Sequence, residues 1–205
     1  MSCQVYNNAG EEPHCVAQCG IQQRFDADIL VEAGEEVLAT YGGHSNDKLL
    51  VHYGFMLSPD SSGPSPDDEI RLDDILLAHL AENTQVQLQD MGYLGGYSLI
   101  PSTNEICFKT QVAVRAQLLT SNEWEYFVSS GEDLGEDKSD EVAAWLKPHF
   151  EEYRKTAEYE RNLMRKMYDT YTGNEGGEGN PVRATSLLVE RWSQIIDALT
   201  AFIKS

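Results

Sequence analysis

Basic residues are scarce in this chain. Its 205 residues include 15 lysines and arginines against 34 aspartates and glutamates, which gives a formal charge of -19. A field of that sign repels phosphate groups and anionic lipid headgroups. We therefore expect neither nucleic acid nor a membrane surface among the partners of the protein.

Cysteines are also few. The four cysteines, Cys3, Cys15, Cys19 and Cys107, are too few for a disulfide scaffold in a chain of this length. His14 joins Cys15 and Cys19 in the one local cluster, and the sequence has no second pair at zinc-site spacing. The pattern predicts free thiols and no metal site.

Long apolar runs are missing too. The longest nearly apolar stretch, residues 49–57, is interrupted by His52 and Gly54, whereas a membrane-spanning helix needs about 18 apolar residues. Residues 1–8 have neither the basic start nor the apolar run of a secretory signal. We therefore expect no transmembrane segment and an intracellular location, either cytoplasmic or nuclear.

The first part of the chain has the alternation of apolar and polar residues that is typical of β-strands. This alternation predicts one strand over residues 25–31 and a second over residues 37–41. Ser45 is then expected to cap a short helix, and Gly54 is expected to end it.

The spacing of apolar residues becomes helical beyond the proline- and serine-rich residues 57–66. A helix is predicted to begin at Asp73 or Asp74. Ser102 and Glu105 have the spacing of a capping box, which predicts a helix that starts at Ser102.

Two long amphipathic helices are predicted at the C-terminal end of the chain. Their apolar positions recur at helical spacing: Leu163, Met164, Met167, Tyr168 and Tyr171 in the first, and Leu188, Trp192, Ile195, Ile196, Leu199 and Phe202 in the second. Pro148 is expected to end or kink the helix that begins near Asp140. The glycine-rich residues 173–181 are interpreted as a flexible connection. The predicted fold class is α+β, a β-rich segment followed by a mainly helical domain.

Three short sequences follow one another near the predicted strands. They are Gly-Glu-Glu-Val-Leu-Ala-Thr-Tyr-Gly at residues 34–42, His-Ser-Asn-Asp-Lys-Leu-Leu at residues 44–50, and Tyr53-Gly54-Phe55. In order and spacing they resemble the closing segment of a SET domain. The resemblance is closest to the subgroup of Rubisco large-subunit methyltransferase and the SET-type ribosomal lysine methyltransferases. It implies a C-terminal portion of SET at residues 1–58, a linker at 59–67 and a helical substrate-binding domain at 68–205.

The resemblance implies a protein-lysine N-methyltransferase that uses S-adenosylmethionine as cofactor. In such a reaction the lysine amine, with an ordinary pKa of about 10.4, must lose its proton and point its lone pair at the methyl group. The resemblance assigns the amine-holding hydroxyl to Tyr41 and a second phenol of the lysine channel to Tyr53. It makes Phe55 a wall of that channel, and it places Tyr41 and Phe55 against the cofactor.

The sequence departs from the family pattern in two places. It shows neither the glycine-containing cofactor segment nor the Asn-His pair of the family, since no histidine follows Asn7 and Asn8. From this departure we expect an incomplete or inactive form of the enzyme, in which the chain alone does not bind S-adenosylmethionine appreciably. The alternative is a non-catalytic protein-binding module derived from a SET methyltransferase.

Acidic residues are concentrated in residues 132–141. Two interpretations remain open for this acidic run. It is either a solvated loop or a surface that attracts a basic, lysine-containing segment of a protein substrate, such as a ribosomal protein or a histone.

Overall fold

The structure is a computed structural model that describes residues 42–132, 138–173 and 180–205. The chain divides into two compact units, Met1–Gly42 and Gly43–Ser205. Apart from Gly42, every described residue belongs to the second unit. The strands predicted over residues 25–31 and 37–41, together with Tyr41, lie outside the described residues.

Helices dominate the second unit. In chain order they are α1 (Asn46–Tyr53), α2 (Asp73–His79), α3 (Glu82–Asp90), α4 (Phe108–Leu118), α5 (Ser121–Ser130), α6 (Ser139–Gly173) and α7 (Asn180–Lys204). The predicted start of α2 at Asp73 is confirmed, because its first residue is Asp73. Two acids, Asp73 and Asp74, lie in that first turn, where the helix dipole stabilises negative charge.

Three short strands form a small antiparallel sheet. They are β1 (Ile70–Arg71), β2 (Ser98–Ile100) and β3 (Glu105–Ile106), and β2 lies in the middle. Leu99 of β2 pairs with Ile70 on one side and with Ile106 on the other. The α+β fold class is therefore confirmed, with a helical C-terminal region.

One hydrophobic core joins the sheet to the helices. Its fully buried side chains include Tyr97, which directly precedes β2, Phe150 of α6 and Leu199 of α7. Ile195, Ile196, Leu199 and Phe202 lie on the buried face of α7, as their helical spacing predicts. The core thus fixes α7 in place, and α7 carries residues that bind α1.

The capping box predicted at Ser102 is wrong. Glu105 belongs to β3, and the helix after it, α4, begins only at Phe108 with Cys107 as its N-cap. The backbone of Ile100 and Glu105 pairs across the β2–β3 hairpin instead. A complete capping box lies elsewhere: the side chain of Thr120 accepts a hydrogen bond from the Glu123 backbone, and the Glu123 side chain accepts one from the Thr120 backbone.

The helix end expected at Pro148 is also wrong, because α6 continues through this residue as one helix. Leu146 and Phe150 are fully buried on either side of Pro148, while Pro148 itself is exposed. Burial of the flanking face compensates for the backbone hydrogen bond that proline cannot make.

The two long C-terminal helices are confirmed as α6 and α7. Burial of the far end of α6 is smaller than its apolar spacing suggests, because Leu163, Met167 and Tyr171 are exposed by 39%, 36% and 38%. In the part of the chain that the structure describes, neither long helix contains a stretch apolar enough to cross a membrane.

Candidate functional site

The short helix α1 carries the described part of the family-like motif. Ser45 stands at its N-cap position, although the Ser45 side chain makes no capping hydrogen bond. Gly54 ends α1 with a backbone φ of 72°, a left-handed conformation that glycine adopts without strain, and its N–H donates to the Leu50 carbonyl at 3.1 Å. This turn, as predicted from Gly54, places Phe55 directly beyond Tyr53.

Aromatic rings surround Tyr53 at the end of α1. The ring of Tyr53 lies 6.5 Å from the ring of His44 at an angle of 9°, so the two rings are nearly parallel. Its centroid lies 6.4 Å from those of Phe55 and His52. We call these four residues the aromatic cluster. The Tyr53 side chain is 46% exposed and is therefore accessible to a ligand.

The aromatic cluster offers chemistry suited to a cation. The face of an aromatic ring attracts a positive charge within about 6 Å of its centroid. The phenol of Tyr53 also carries a hydroxyl that can accept a hydrogen bond from an N–H group. The structure places the rings of Tyr53 and Phe55 6.4 Å apart, whereas Tyr41 lies outside the described residues.

The other end of α1 is attached to α7 by a buried polar network. The Arg191 guanidinium of α7 donates from Nε and Nη2 to the Asp47 carboxylate at 2.7 and 2.9 Å. Its Nη1 donates to Asp68 Oδ2 at 2.8 Å. The backbone N–H of Asn46 donates to the other oxygen of Asp68 at 2.9 Å. We call these four residues the arginine network.

Part of the arginine network is closed to water, although the Asp47 side chain is 42% exposed. Arg191 and Asp68 are 3% and 4% exposed. Burial by itself lowers the pKa of Arg191, but the hydrogen bond and charge of Asp47 and the charge of Asp68 outweigh it, so the pKa of Arg191 lies above its ordinary value. Two carboxylates compensate the buried cation, and the network attaches the first turn of α1 to α7.

Sequence reasoning missed the arginine network. The signal that could have found it is a charged residue on an otherwise apolar face, because Arg191 lies four residues before the buried Ile195 of α7. The motif at residues 44–50 contains Asn46 and Asp47 but does not indicate their partners. Asp47 and its partner Arg191 are 144 residues apart in the chain, and local sequence patterns do not reveal contacts at such a separation.

Half of the acidic run, residues 133–137, lies outside the described residues. Of its described members, Glu132 accepts a hydrogen bond from the Tyr126 hydroxyl at 2.6 Å, and Asp140 and Glu141 are exposed in the first turn of α6. Within residues 42–132, 138–173 and 180–205, no group of three or more potential metal ligands comes together.

Comparison with known proteins yields one curated relative. The chain is 36% identical over 93 residues to the ribosomal lysine N-methyltransferase set11 of Schizosaccharomyces pombe. The match covers 45% of this chain but only 22% of the relative, so the chain spans about a fifth of the relative's length. No protein-family model matches the chain. The similarity supports a relationship to protein-lysine methyltransferases.

Proposed function

We propose that the protein acts in protein-lysine N-methylation, with S-adenosylmethionine as methyl donor and a lysine of a protein substrate as acceptor. The activity is proposed for the gene product as its own cells make it, because residues 1–205 alone are not expected to bind the donor appreciably. The observation that carries this proposal is the similarity to a ribosomal lysine N-methyltransferase. The aromatic cluster adds a chemical reason, because it combines ring faces and a phenol at one accessible place.

The described residues fit a cationic ligand. S-adenosylmethionine supplies a methyl group attached to a positively charged sulfur, and the acceptor lysine carries a positive charge until it loses its proton. The Tyr53 side chain is 46% exposed, and the Phe55 ring lies beside it with a centroid separation of 6.4 Å. Either cation gains from contact with such rings.

We assign separate roles to the two residues. Tyr53 accepts a hydrogen bond from the acceptor lysine and orients its nitrogen, while Phe55 forms an apolar wall that excludes water from the channel and contacts the cofactor. Orientation of this kind contributes to rate because the reacting atoms must be aligned for displacement. Tyr41, to which the family resemblance assigns the main amine-holding hydroxyl, lies outside the described residues, and its role stays a prediction.

We further propose that the substrate is a protein with a basic, lysine-containing segment, either a ribosomal protein or a histone. The chain carries a formal charge of -19, and a negative field speeds the approach of basic segments. The described ends of the acidic run, Glu132 and Asp140, are exposed and available for such attraction.

The test is a methyl-transfer assay with the gene product purified from its own cells. It is incubated with isotope-labelled S-adenosylmethionine and either ribosomal proteins or histones, and labelled residues are mapped by mass spectrometry. We expect label on lysines and none on the same proteins after their lysines have been acetylated. Absence of label from every lysine would contradict the proposal.

A matched pair of variants tests the role of Phe55. Phe55→Ala should reduce transfer by about tenfold or more, since it removes a ring from the proposed channel. Phe108→Ala removes a ring that is 56% exposed on α4 and should leave transfer unchanged.

Tight binding of lysine-rich proteins without any methyl transfer would instead favour the alternative function, a non-catalytic protein-binding module.

A further inference from the structure

A cavity of about 300 Å³ lies between α7, the loop after α1 and the turn after β2. Its apolar wall consists of Leu57, Pro59, Pro64, Pro101, Ala198 and Ala201. The two alanines leave the space that larger side chains on α7 would fill. Because no residue of the aromatic cluster lines this cavity, it is separate from the proposed methyl-transfer site.

Most polar groups on the cavity wall already have partners. The Asn46 side chain accepts from the Leu57 N–H at 2.8 Å and donates to the Leu57 carbonyl at 2.8 Å and to Gln194 Oε1 at 3.0 Å. Asp68 is bound by Asn46 and Arg191. These groups shape the wall, and their hydrogen-bonding capacity is largely used within the protein.

Asp197 differs from the other polar residues of the wall. It is exposed, and among the described residues no basic side chain forms an ion pair with it. Its neighbours one turn away on α7 are Ser193, Gln194, Thr200 and Ala201, none of which is basic. No basic residue lines the cavity either. The cavity therefore combines an apolar wall with one uncompensated carboxylate.

We propose that this cavity binds a long basic side chain, arginine or lysine, of a partner protein. The aliphatic stem lies against the prolines and alanines, and the cationic group forms an ion pair with Asp197. Long basic side chains commonly place their stems on apolar surface in this way. The volume of about 300 Å³ is at the lower end of ligand pockets, about 300 to 1,000 Å³, which suits one side chain better than a nucleotide-sized ligand.

The first experiment compares small probes of equal chain length. Amide NMR spectra of the full chain are recorded with n-butylguanidinium, n-butanol and n-butyrate. We expect the guanidinium to bind most tightly and to shift the signals of residues 57–65 and 194–201. Equal binding of the cation and the alcohol, or shifts confined to other residues, would overturn the proposal.

Two variants separate the charge of the site from its shape. Asp197→Asn should weaken n-butylguanidinium about tenfold while leaving n-butanol unchanged, since it removes a charge-assisted hydrogen bond at constant size. Ala201→Leu fills the cavity from an exposed helix position and should abolish binding of both probes. Asp169→Asn, an exposed acid on α6, is the matched control and should change neither.

A final comparison identifies the source of the cation. A free polyamine has the same aliphatic and cationic chemistry, so spermidine is compared with the peptide acetyl-Ala-Ala-Arg-Ala-Ala-amide. Tighter binding of the peptide supports a protein-borne side chain. Tighter binding of spermidine that is lost in Asp197→Asn would overturn the assignment to a partner protein. An unchanged affinity of the peptide for Asp197→Asn would overturn the site itself.

Discussion

A single buried arginine joins the first described helix to the last one. Arg191 binds two carboxylates and is almost fully enclosed, and Asp68 is enclosed with it. Removing one partner of a buried ion pair leaves the other charge uncompensated, which costs far more than the loss of an exposed pair. Stability at the residue scale therefore depends strongly on this side chain.

We predict that Arg191→Leu lowers the free energy of unfolding by about 3 to 5 kcal/mol. The control is Arg154→Leu, which breaks the partly exposed ion pair with Glu158 at 2.7 Å and should cost less than about 1 kcal/mol. Adding Asp68→Asn to the Arg191 variant should restore part of the loss, since it removes the unpaired charge. Urea unfolding gives all three values, and similar losses for Arg191→Leu and Arg154→Leu would contradict the prediction.

Histidine stacking on α6 makes stability sensitive to acid. The ring of His149 lies 4.0 Å from the ring of His79 and 4.5 Å from that of Trp145. Burial and the charge of His79 lower the pKa of His149, and the charge of Glu152 acts in the opposite direction. The unfolded chain therefore binds a proton at His149 more readily than the folded chain does. The corresponding stability is present above the unfolded-state pKa of about 6.5 and is lost as the pH falls below it.

We predict that His149→Gln loses less stability than the wild type between about pH 7 and pH 5. Lys147→Gln, which removes a charge two residues away on the same helix, should keep the pH dependence of the wild type. Thermal unfolding of the wild type and both variants is measured at intervals between about pH 7 and pH 5. Parallel pH profiles for the wild type and His149→Gln would show that the imidazole is not responsible.

At the scale of elements, local sequence signals predicted where helices begin and end better than they predicted strand pairing or the burial of helix faces. Asp73 and Gly54 mark helix ends because a first-turn acid and a left-handed glycine act within one turn. The helix start predicted at Ser102 was wrong because the backbone N–H and C=O groups of β2 and β3 pair with each other in the sheet. Spacing along α6 revealed an apolar face, but it could not show that Leu163 and Met167 lack full cover.

The proline within α6 is predicted to cost stability. Pro148→Ala should stabilise the protein by up to about 3 kcal/mol, because alanine supplies the missing N–H and removes the clash with the preceding turn. Pro181 in the first turn of α7 is the natural control, since an N–H there has no helical partner. Pro181→Ala should change the free energy of unfolding little. Equal effects of the two substitutions would contradict this explanation.

For the whole molecule, the boundary of the stable unit follows from the arginine network. The division at residues 58 and 68 remains a prediction about family domains, whereas the compact unit begins at Gly43. Asn46 and Asp47 bind residues of the β1 region and α7. The same network explains why the site was only partly predictable: the motif identified Tyr53 and Phe55, but the residues that hold their helix come from the far end of the chain.

We predict that a fragment of residues 43–205 is more stable than one of residues 68–205. The shorter fragment lacks Asp47, so Arg191 loses both its bidentate partner and its contact with α1. Asp47→Ala in the longer fragment should reproduce part of the difference. Limited proteolysis and urea midpoints provide the comparison, and equal midpoints for the two fragments would count against an anchoring role for α1.

The central claim, that Tyr53 orients the acceptor lysine in methyl transfer, is tested most directly by a matched pair of tyrosine variants. Tyr53→Phe keeps the ring and removes the hydroxyl. Tyr126→Phe does the same to a tyrosine of almost equal exposure, 44% against 46%. Labelled methyl transfer to lysine is measured for the gene product from its own cells. The account predicts a loss of about a hundredfold for Tyr53→Phe and no loss for Tyr126→Phe. Equal activity of both variants and the wild type would contradict it.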